Sequence, residues 1–379
     1  MSSNNYNKKE KIFKNFLRPE VKAISPYMGE KDSFKVKIDL SGNESPFDLP
    51  QQIKDKFKEK FDKLNINRYP ELYSDSLREK ISIFLQHNTG INVKSEEIIA
   101  GNGSDDLLEL IVRTFVDKGD YVLSPAPTFS MYRYFTEVNG GKYVDLPLIE
   151  KKFTFKNIKT EIDKYNPKLI FFCSPNNPTG EILDREIVLK TAEYYKGPVI
   201  IDEAYAEFSR NNFMLEVKKF SNIAVCRTFS KAYGMAGVRL GYMFADRIIT
   251  QEVEKVLKPY NLNIMTDVLG RIILKNNDII KERIKYIVAE RDRLFKKLSQ
   301  FDGWKVYNTE ANFVYIEGEK TKDFKNILNQ NGVKIRSYNT EPAAIRITAG
   351  SSKENDVVLK LFKELKRTKK CRLRGEKDV

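Results

Sequence analysis

The feature that most constrains the fold is a regular alternation of short apolar runs with amphipathic stretches between about residues 98 and 250. Runs such as "YVLSP", "LIFFCS", "PVIID" and "IAVCR" are rich in β-branched and aromatic residues, which is typical of strands buried on both faces. The stretches between them, such as "DDLLELIVRTFV", carry their apolar residues at helical spacing. This alternation predicts an α/β fold with a mostly parallel sheet sandwiched by helices.

The chain is long enough to form two lobes, since it has 379 residues, of which 41% are hydrophobic. A long amphipathic segment near 266–300 precedes "ANFVYIEG", "GVKIRSY" and "IRITAG", which we interpret as strands of a smaller α+β domain closed by a helix. We therefore predict an N-terminal arm with part of the small domain at 1–40, a large domain at 41–265, and a linking helix with the small domain at 266–379. We expect residues 1–15 and 367–379 only to trail in solvent.

Charge and cysteine content exclude several classes of protein. The net charge is +14, but basic and acidic residues are interspersed and only the C-terminal tail is a basic run, so we expect no nucleic-acid partner. No apolar run reaches membrane-spanning length, and the first residues lack the apolar stretch of a signal peptide. Cys173 and Cys226 lie in apolar strand patterns and are predicted to be small core residues. We expect a cytoplasmic protein without a membrane partner.

The single histidine, His87, narrows the possible chemistry. It lies near a predicted helix end, where a capping or surface role is expected. Catalytic triads that need a histidine base and HExxH metal sites are therefore excluded, and we predict no metal. Any proton transfer near neutral pH must use a lysine, a tyrosine or a carboxylate.

Four polar motifs follow successive predicted strands. "GNGSDDLL" places free backbone amides at a helix start, which would seat a phosphate, although a helix capped by Ser104 explains the motif equally well. "SPNNPTG" at 174–180 places asparagines at a strand end, but by itself it could be a turn. "IIDEAY" places Asp202 and Glu203 after a buried strand, where a carboxylate needs a cationic partner. "TFSKAYGMAGVRLGY" presents Lys231, for which a solvated loop lysine is the alternative.

Together these motifs supply what a pyridine aldehyde phosphate requires. Such a cofactor needs an anion site, a carboxylate that keeps its ring nitrogen protonated, and a lysine that binds it covalently. Ligands of open α/β sheets bind at strand ends, where all four motifs are predicted to lie. We therefore predict that Lys231 binds pyridoxal 5'-phosphate.

From roughly residue 36 to 366 the chain resembles the fold-type I pyridoxal-phosphate aminotransferases. The resemblance depends on "LSGNESPF", "APTFSMY", "SPNNPTG", "TFSKAYGMAGVRLGY", "ANFVYI" and "IRITAG". "NRYPE", "GNGSDDLLEL" and "DEAYAEF" are similar to the histidinol-phosphate aminotransferases within that group. The fold implied is a large cofactor-binding domain with a smaller α+β domain.

The resemblance implies roles around the cofactor ring. Lys231 would bind the cofactor and move the substrate proton, and Asp202 would pair with the ring nitrogen. Asn177 and Tyr205 would hydrogen-bond the ring oxygen, and Phe129 would stack on the ring face. Lys231, Asp202 and Tyr205 are thus the predicted catalytic residues.

The resemblance also implies a phosphate site and a second subunit. The residues implied at the phosphate are Ser104, Asp105, Thr228, Ser230 and Arg239. Tyr69 would reach the same phosphate from the neighbouring subunit, which implies a homodimer with shared active sites.

For the substrate, the resemblance implies that Arg346 binds a carboxylate, as a bidentate guanidinium does well. Asn43 and Phe47 of "NESPF" are also implied at the substrate. Phe47 stands where members of the family commonly have a tyrosine, so Arg336 is the predicted phosphate ligand, with a surface strand arginine as the alternative. The loop between the two arginines is short compared with relatives.

The leading functional hypothesis is amino transfer from L-histidinol phosphate to 2-oxoglutarate in histidine biosynthesis, giving imidazole acetol phosphate and L-glutamate. An aromatic amino-acid aminotransferase is one alternative, because such enzymes share the same scaffold and Phe47 would make the substrate site more apolar. A threonine-phosphate decarboxylase is another, because it would use the same lysine. A cofactor-binding regulator without turnover is disfavoured by the presence of Lys231, Asp202 and Arg346.

Overall fold

The computed structural model describes residues 9–10, 13–26, 33–146 and 153–375, with the side chains of the last helix described up to Leu365. The strands are Ile38–Leu40 (β1), Ile98–Gly101 (β2), Tyr121–Pro125 (β3), Lys142–Leu146 (β4), Leu169–Cys173 (β5), Val199–Asp202 (β6), Ile223–Thr228 (β7), Gly241–Ala245 (β8), Lys305–Val306 (β9), Phe313–Glu317 (β10), Val333–Tyr338 (β11) and Ala344–Thr348 (β12). The α-helices are Pro19–Ala23 (α1), Gln51–Phe61 (α2), Asp75–Thr89 (α3), Gly103–Phe115 (α4), Met131–Val138 (α5), Phe155–Tyr165 (α6), Arg185–Tyr194 (α7), Arg247–Glu254 (α8), Ile264–Leu274 (α9), Asn277–Leu298 (α10), Lys320–Gln330 (α11) and Ser352–Gly375 (α12).

The large sheet has seven strands in the order β2-β8-β7-β6-β5-β3-β4. Neighbouring strands from β4 to β7 are parallel, whereas β8 is antiparallel to both β7 and β2. The predicted mostly parallel α/β fold is confirmed. The edge strand β4 was not apparent from the pattern, since Lys142 and Asp145 are exposed on it.

Apolar residues of the central strands alternate between two cores, which explains why these strands are apolar throughout. Phe171 and Ile200 pack with α4, α5 and α8 on one face of the sheet. Phe172 and Ile201 pack on the other face, with α6, α7 and α9. Cys173 and Cys226 are buried and free, as predicted.

The small sheet has five strands in the order β1-β11-β12-β10-β9. Strand β1 is parallel to β11, so an N-terminal segment contributes to a sheet formed otherwise by the last third of the chain. The remaining pairs are antiparallel. Helices α10 and α11 pack on the sheet, and α12 packs on these two helices. The domain boundaries themselves stay a prediction.

Two helical segments in the second half of the chain add detail to the prediction. The segment near 266–300 forms two helices, because Asn276 bonds back to the end of α9 through its amide side chain, which donates to Ile272 O at 2.7 Å. Helix α12 extends to residue 375, so the predicted tail at 367–379 is helical as far as the structure describes it, and much of the predicted N-terminal tail at 1–15 lies outside the described residues. His87 lies in the last turn of α3. In the described part of the chain no helix is long and apolar enough to cross a membrane.

Candidate active site

A cavity of about 530 Å³ opens where β2, β5, β6 and β7 end, between the large sheet and the small one. Because the carboxyl ends of β5, β6 and β7 meet at one edge, the motifs that follow these strands lie together. The cavity is lined by most of the predicted site residues, namely Asn43, Ser104, Asp105, Phe129, Asn177, Asp202, Tyr205, Thr228, Ser230, Lys231, Arg239, Arg336 and Arg346.

Lys231 lies in the turn between β7 and β8 and points into this cavity. Its Nζ donates to the carbonyl oxygen of Gly42 at 2.8 Å. Burial lowers the pKa of Lys231 to about 8, and the nearby positive charge of Arg346 acts in the same direction. A lysine in this environment is partly neutral near pH 8, which a nucleophilic amine requires and a solvated loop lysine does not show.

The two carboxylates that follow β6 have different surroundings. Glu203 is buried and forms a salt bridge with Arg227 on β7, with Oε2 to Nη2 at 2.7 Å and to Nε at 2.9 Å. Asp202 is also buried, but among the described residues it has no ion pair. It accepts hydrogen bonds from the Tyr132 hydroxyl at 2.7 Å and the Ala204 amide at 3.1 Å. Burial raises the pKa of Asp202 to about 6, so this carboxylate is suited to a cation brought by a ligand.

Polar side chains and one aromatic ring form the wall beside Asp202. The Tyr205 hydroxyl accepts a hydrogen bond from Asn43 Nδ2 at 2.9 Å, and burial raises the pKa of Tyr205. The Asn177 carboxamide oxygen accepts one from Arg346 Nη1 at 2.6 Å. Phe129 is half-buried at the start of α5 and borders the cavity. A planar heteroaromatic ring would thus meet a carboxylate, hydrogen-bonding groups and an apolar face.

The N-terminus of α4 borders the cavity through Ser104 and Asp105, at the place where the sequence predicts a phosphate. The helix begins at Gly103, whose φ of +83° suits glycine, and Ser104 is its second residue. The alternative that the Ser104 side chain caps the helix is wrong, since no side-chain capping bond is present and Asn102 holds the N-cap position. Strand β8 lies close to the start of α4. A Cβ added at Gly241 would be only 2.6 Å from Ser104 N.

Hydroxyl groups and a guanidinium surround the same helix terminus. The Thr228 and Ser230 hydroxyls are 3.0 Å apart. Arg239 Nη1 donates to Ser230 Oγ at 3.2 Å, and its Nη2 lies 3.4 Å from Asp105 Oδ2. Backbone amides, hydroxyls and an arginine at a helix N-terminus are a donor set that fits a phosphate.

Two arginines lie side by side on the small sheet. Arg336 on β11 is the cross-strand partner of Arg346 on β12, and both line the cavity. Arg346 is buried and donates to Asn177 and to Ser41 O, while its Nε is buried without a hydrogen-bond partner in the described structure. The alternative of a surface strand arginine does not fit the position of Arg336.

Two predicted site residues do not line the cavity. Phe47 packs edge-on against Tyr286, with ring centroids 5.1 Å apart, and under the guanidinium of Arg283. Tyr69 is 81% exposed and stacks on Tyr260. A single chain therefore does not bring the Tyr69 hydroxyl to the helix terminus, and both assignments stay predictions.

Three residues that the motifs did not single out belong to the site. Tyr132 bonds Asp202, Tyr315 is the cross-strand partner of Arg346, and Lys334 lines the cavity two residues before Arg336. The period of two in a strand could have placed Lys334 on the face of Arg336. Nothing in the local sequence connects Tyr132 with Asp202, which lies seventy residues later.

Comparison of the chain with known protein families identifies the class of protein to which this fold and site belong. Residues 35–362 match the family described as aminotransferase class I and II. The chain therefore belongs to the class I and II aminotransferases, and it is a pyridoxal-phosphate-dependent transaminase.

Its curated relatives define the branch more narrowly. The chain is 35% identical over 358 residues to a histidinol-phosphate aminotransferase of Caldanaerobacter subterraneus subsp. tengcongensis, covering 93% of this chain and 99% of the relative. It is 36% identical over 353 residues to that of Pyrococcus furiosus, covering 93% and 98%. The predicted resemblance to histidinol-phosphate aminotransferases is confirmed.

A solved structure with the same fold is the histidinol-phosphate aminotransferase from Sinorhizobium meliloti in complex with pyridoxal-5'-phosphate. Its TM-score is 0.82 at 22% identity, covering 93% of this chain and 98% of that one. The residues of this chain fit the same cofactor. Among the described residues Asp202 has no cationic partner, the terminus of α4 borders the cavity, and a Cβ at Gly241 would lie 2.6 Å from Ser104 N.

Proposed function

We propose that the enzyme transfers the amino group of L-histidinol phosphate to 2-oxoglutarate, giving imidazole acetol phosphate and L-glutamate. The observation that carries this proposal is the pair formed by Arg336 and Arg346. Like charges opposite each other on neighbouring strands are unfavourable unless an anion lies between them. A phosphate dianion, with three oxygens for two guanidinium groups, fits this pair well.

The anion of the donor would bind at this pair. Histidinol phosphate has no carboxylate, so its phosphate is the group available to Arg346, and Arg336 would share the charge. Glutamate and 2-oxoglutarate would present a carboxylate to Arg346 instead. One site could thus accept both substrates of the two half-reactions.

We assign the proton transfers to Lys231. The bound cofactor supplies the electron sink that makes the substrate Cα proton acidic. The amine of Lys231, once released, would take this proton and return it, and its lowered pKa allows both steps near neutral pH. Asp202 would keep the ring nitrogen protonated, while Asn177 and Tyr205 would orient the ring.

We propose that the active enzyme is a homodimer in which Tyr69 completes the phosphate site of the partner. Large apolar and aromatic side chains are exposed in two chain segments, and these are Ile66, Tyr69, Leu72, Tyr260 and Met265. Tyr69 and Tyr260 stack with ring centroids 4.6 Å apart, so the two segments meet in one surface patch. Exposed patches of this kind are typical of protein interfaces.

The aromatic alternative loses one of its two grounds. Phe47 packs on Tyr286 and does not line the cavity, so only the shared scaffold still favours an aromatic amino-acid aminotransferase. A decarboxylase that acts on threonine phosphate would use the same arginines, and the experiment below separates it from a transaminase by its products.

The test is a single half-reaction without a keto acid. The cofactor-loaded enzyme is mixed with L-histidinol phosphate while the visible band of the cofactor is followed. We expect the band to disappear at micromolar donor, with imidazole acetol phosphate detected by mass spectrometry. An unchanged band would refute this donor, and release of CO₂ from threonine phosphate would establish the decarboxylase.

Arg336→Gln should weaken binding of histidinol phosphate by at least about tenfold while changing that of glutamate less, because only the phosphate needs both guanidinium groups. Arg113→Gln, on the exposed side of α4, is the matched control for loss of one positive charge. Equal losses of affinity for histidinol phosphate and for glutamate would show that Arg336 is not a specific ligand of the phosphate.

A further inference from the structure

We propose that Tyr132 is a positioning residue that acts through Asp202, and that its hydroxyl sets how strongly this carboxylate holds a proton on the cofactor ring nitrogen. The inference rests on the cofactor-binding role proposed for Asp202, but it does not depend on which amino donor the enzyme uses.

The geometry holds Tyr132 in one orientation. Its hydroxyl donates to Asp202 Oδ2 at 2.7 Å, and the residue is fully buried. Its ring stacks on Phe171, with centroids 4.6 Å apart and an interplanar angle of 9°. On another side it makes an edge contact with Phe129, the residue predicted to cover the cofactor ring. The hydroxyl therefore has no room to turn away from the carboxylate.

Within the described structure, Tyr132 is the side chain that hydrogen-bonds the Asp202 carboxylate. The other hydrogen bond comes from the Ala204 amide to Oδ1. A hydrogen bond to a buried carboxylate stabilises its charged form, so the Tyr132 hydroxyl makes Asp202 a weaker base than burial alone would. The pKa of Tyr132 is raised well above its usual value by burial and by Asp202, so the hydroxyl stays protonated and remains a donor.

The other titratable groups around Asp202 do not replace this donor. They are Cys173 on β5, Cys226 on β7, Asp105 on α4, and Glu203 and Tyr205 beside it. Burial raises the pKa of both thiols, so these stay neutral, and the carboxylates of Asp105 and Glu203 favour protonation of Asp202.

Three cations of the cavity have partners other than Asp202. Lys231 donates to Gly42 O, Arg239 to Ser230 and Asp105, and Arg346 to Asn177 and Ser41 O. The Tyr132 hydroxyl is thus the group whose removal changes Asp202 without changing the charge of the site.

The test compares Tyr132→Phe with Tyr195→Phe in the cofactor-loaded enzyme. Tyr195 is a matched control, because it is also buried and its hydroxyl donates to Pro167 O at 2.9 Å, outside the cavity. Both variants lose one buried hydrogen bond and keep the ring, so a general loss of stability would appear in both.

Two readouts other than activity are measured, the dissociation constant of the cofactor and the pH titration of its visible band. Without the hydroxyl, Asp202 becomes more basic and draws the proton from the ring nitrogen. The ring then withdraws fewer electrons from the nitrogen that joins the cofactor to Lys231, and that nitrogen becomes more basic. We expect Tyr132→Phe to raise the titration midpoint by about half a pH unit and the dissociation constant about tenfold, with Tyr195→Phe unchanged.

A double-mutant cycle shows whether the effect passes through Asp202. In an Asp202→Asn background, Tyr132→Phe should produce no further shift of the midpoint. The proposal is overturned if Tyr132→Phe leaves the midpoint in place, or if its shift persists in the Asp202→Asn background. Failure of the proposed amino donor would appear separately, in the half-reaction of the wild-type enzyme.

Discussion

Lys231 and Asp202 show how one physical cause, burial, prepares two residues for opposite tasks. Burial disfavours the charged form of each group, so it lowers the pKa of the lysine to about 8 and raises that of the aspartate to about 6. The lysine is therefore partly neutral near pH 8, as a nucleophilic amine must be, and the aspartate is suited to pair with a cation that a ligand brings. Both residues were predicted from their positions after apolar strands, but their environments could not be.

The lowered pKa of Lys231 predicts the pH dependence of cofactor binding. Only the neutral amine attacks an aldehyde, so the rate at which the cofactor-free enzyme binds pyridoxal phosphate should rise as the pH passes through about 8 and level off above it. A solvated lysine would give a rate that still rises toward pH 10.

Stopped-flow absorbance from pH 6 to 10 measures this rate. Lys231→Ala is the control for absorbance changes that do not involve the covalent bond, and it should also abolish turnover. A rate that still increases tenfold per pH unit above pH 9 would contradict the lowered pKa.

At the scale of elements, the site depends on where strands and helices end. Strands β5, β6 and β7 deliver their polar residues to one edge because they are parallel, and the terminus of α4 reaches that edge because β8 packs directly against it. The proposed phosphate site therefore depends on the contact between β8 and α4, where a Cβ at position 241 would lie 2.6 Å from Ser104 N.

Gly241→Ala should damage the phosphate site. The added Cβ would lie 2.6 Å from both Gly103 C and Ser104 N, so the start of α4 must move. We expect a loss of stability of about 1–3 kcal/mol and at least about tenfold weaker cofactor binding. Thermal unfolding with and without cofactor, and fluorescence titration, measure the two effects.

Gly237→Ala is the matched control, because, apart from its chain neighbours, no heavy atom of the described residues lies within 4 Å of its added Cβ. It should leave stability and cofactor affinity nearly unchanged. If Gly241→Ala behaved like Gly237→Ala, the close packing of β8 on α4 would not be needed for the phosphate site.

At the scale of the whole molecule, the cavity is closed by two sheets whose segments come from distant parts of the chain. Asn43 bonds residues of both lobes. Its side-chain amide donates to the Tyr205 hydroxyl in the large lobe. In the small lobe, its backbone amide donates to Thr348 Oγ1 and its backbone carbonyl oxygen accepts from Asn312 Nδ2. The proposed dimer extends the same principle, with Tyr69 supplied by a second copy.

Mixing two inactive variants tests the shared site. Lys231→Ala lacks the catalytic amine, and Tyr69→Ala lacks the residue proposed to reach the partner. In a mixed dimer, one site would combine an intact Lys231 with an intact Tyr69. Random pairing makes half of the dimers mixed, each with one intact site of two, so we expect about a quarter of the wild-type activity.

Two affinity tags isolate the mixed dimers, and activity is measured before and after exchange of subunits. A mixture of wild-type protein and Lys231→Ala gives the reference for dilution. Mixed dimers that form without gaining activity would show that Tyr69 does not complete the partner's site.

Local patterns of apolar residues and short motifs were enough to predict the α/β class, the family, and the residues at the strand ends. The folded structure was needed to show that Arg227 pairs with Glu203 and, within the described residues, no cation pairs with Asp202. It also showed that Arg336 is the cross-strand partner of Arg346 and that Tyr132 bonds Asp202. It also placed Phe47 outside the cavity. These outcomes depend on strand register and on packing between segments far apart in the chain, where a shift of one residue reverses the direction of every side chain.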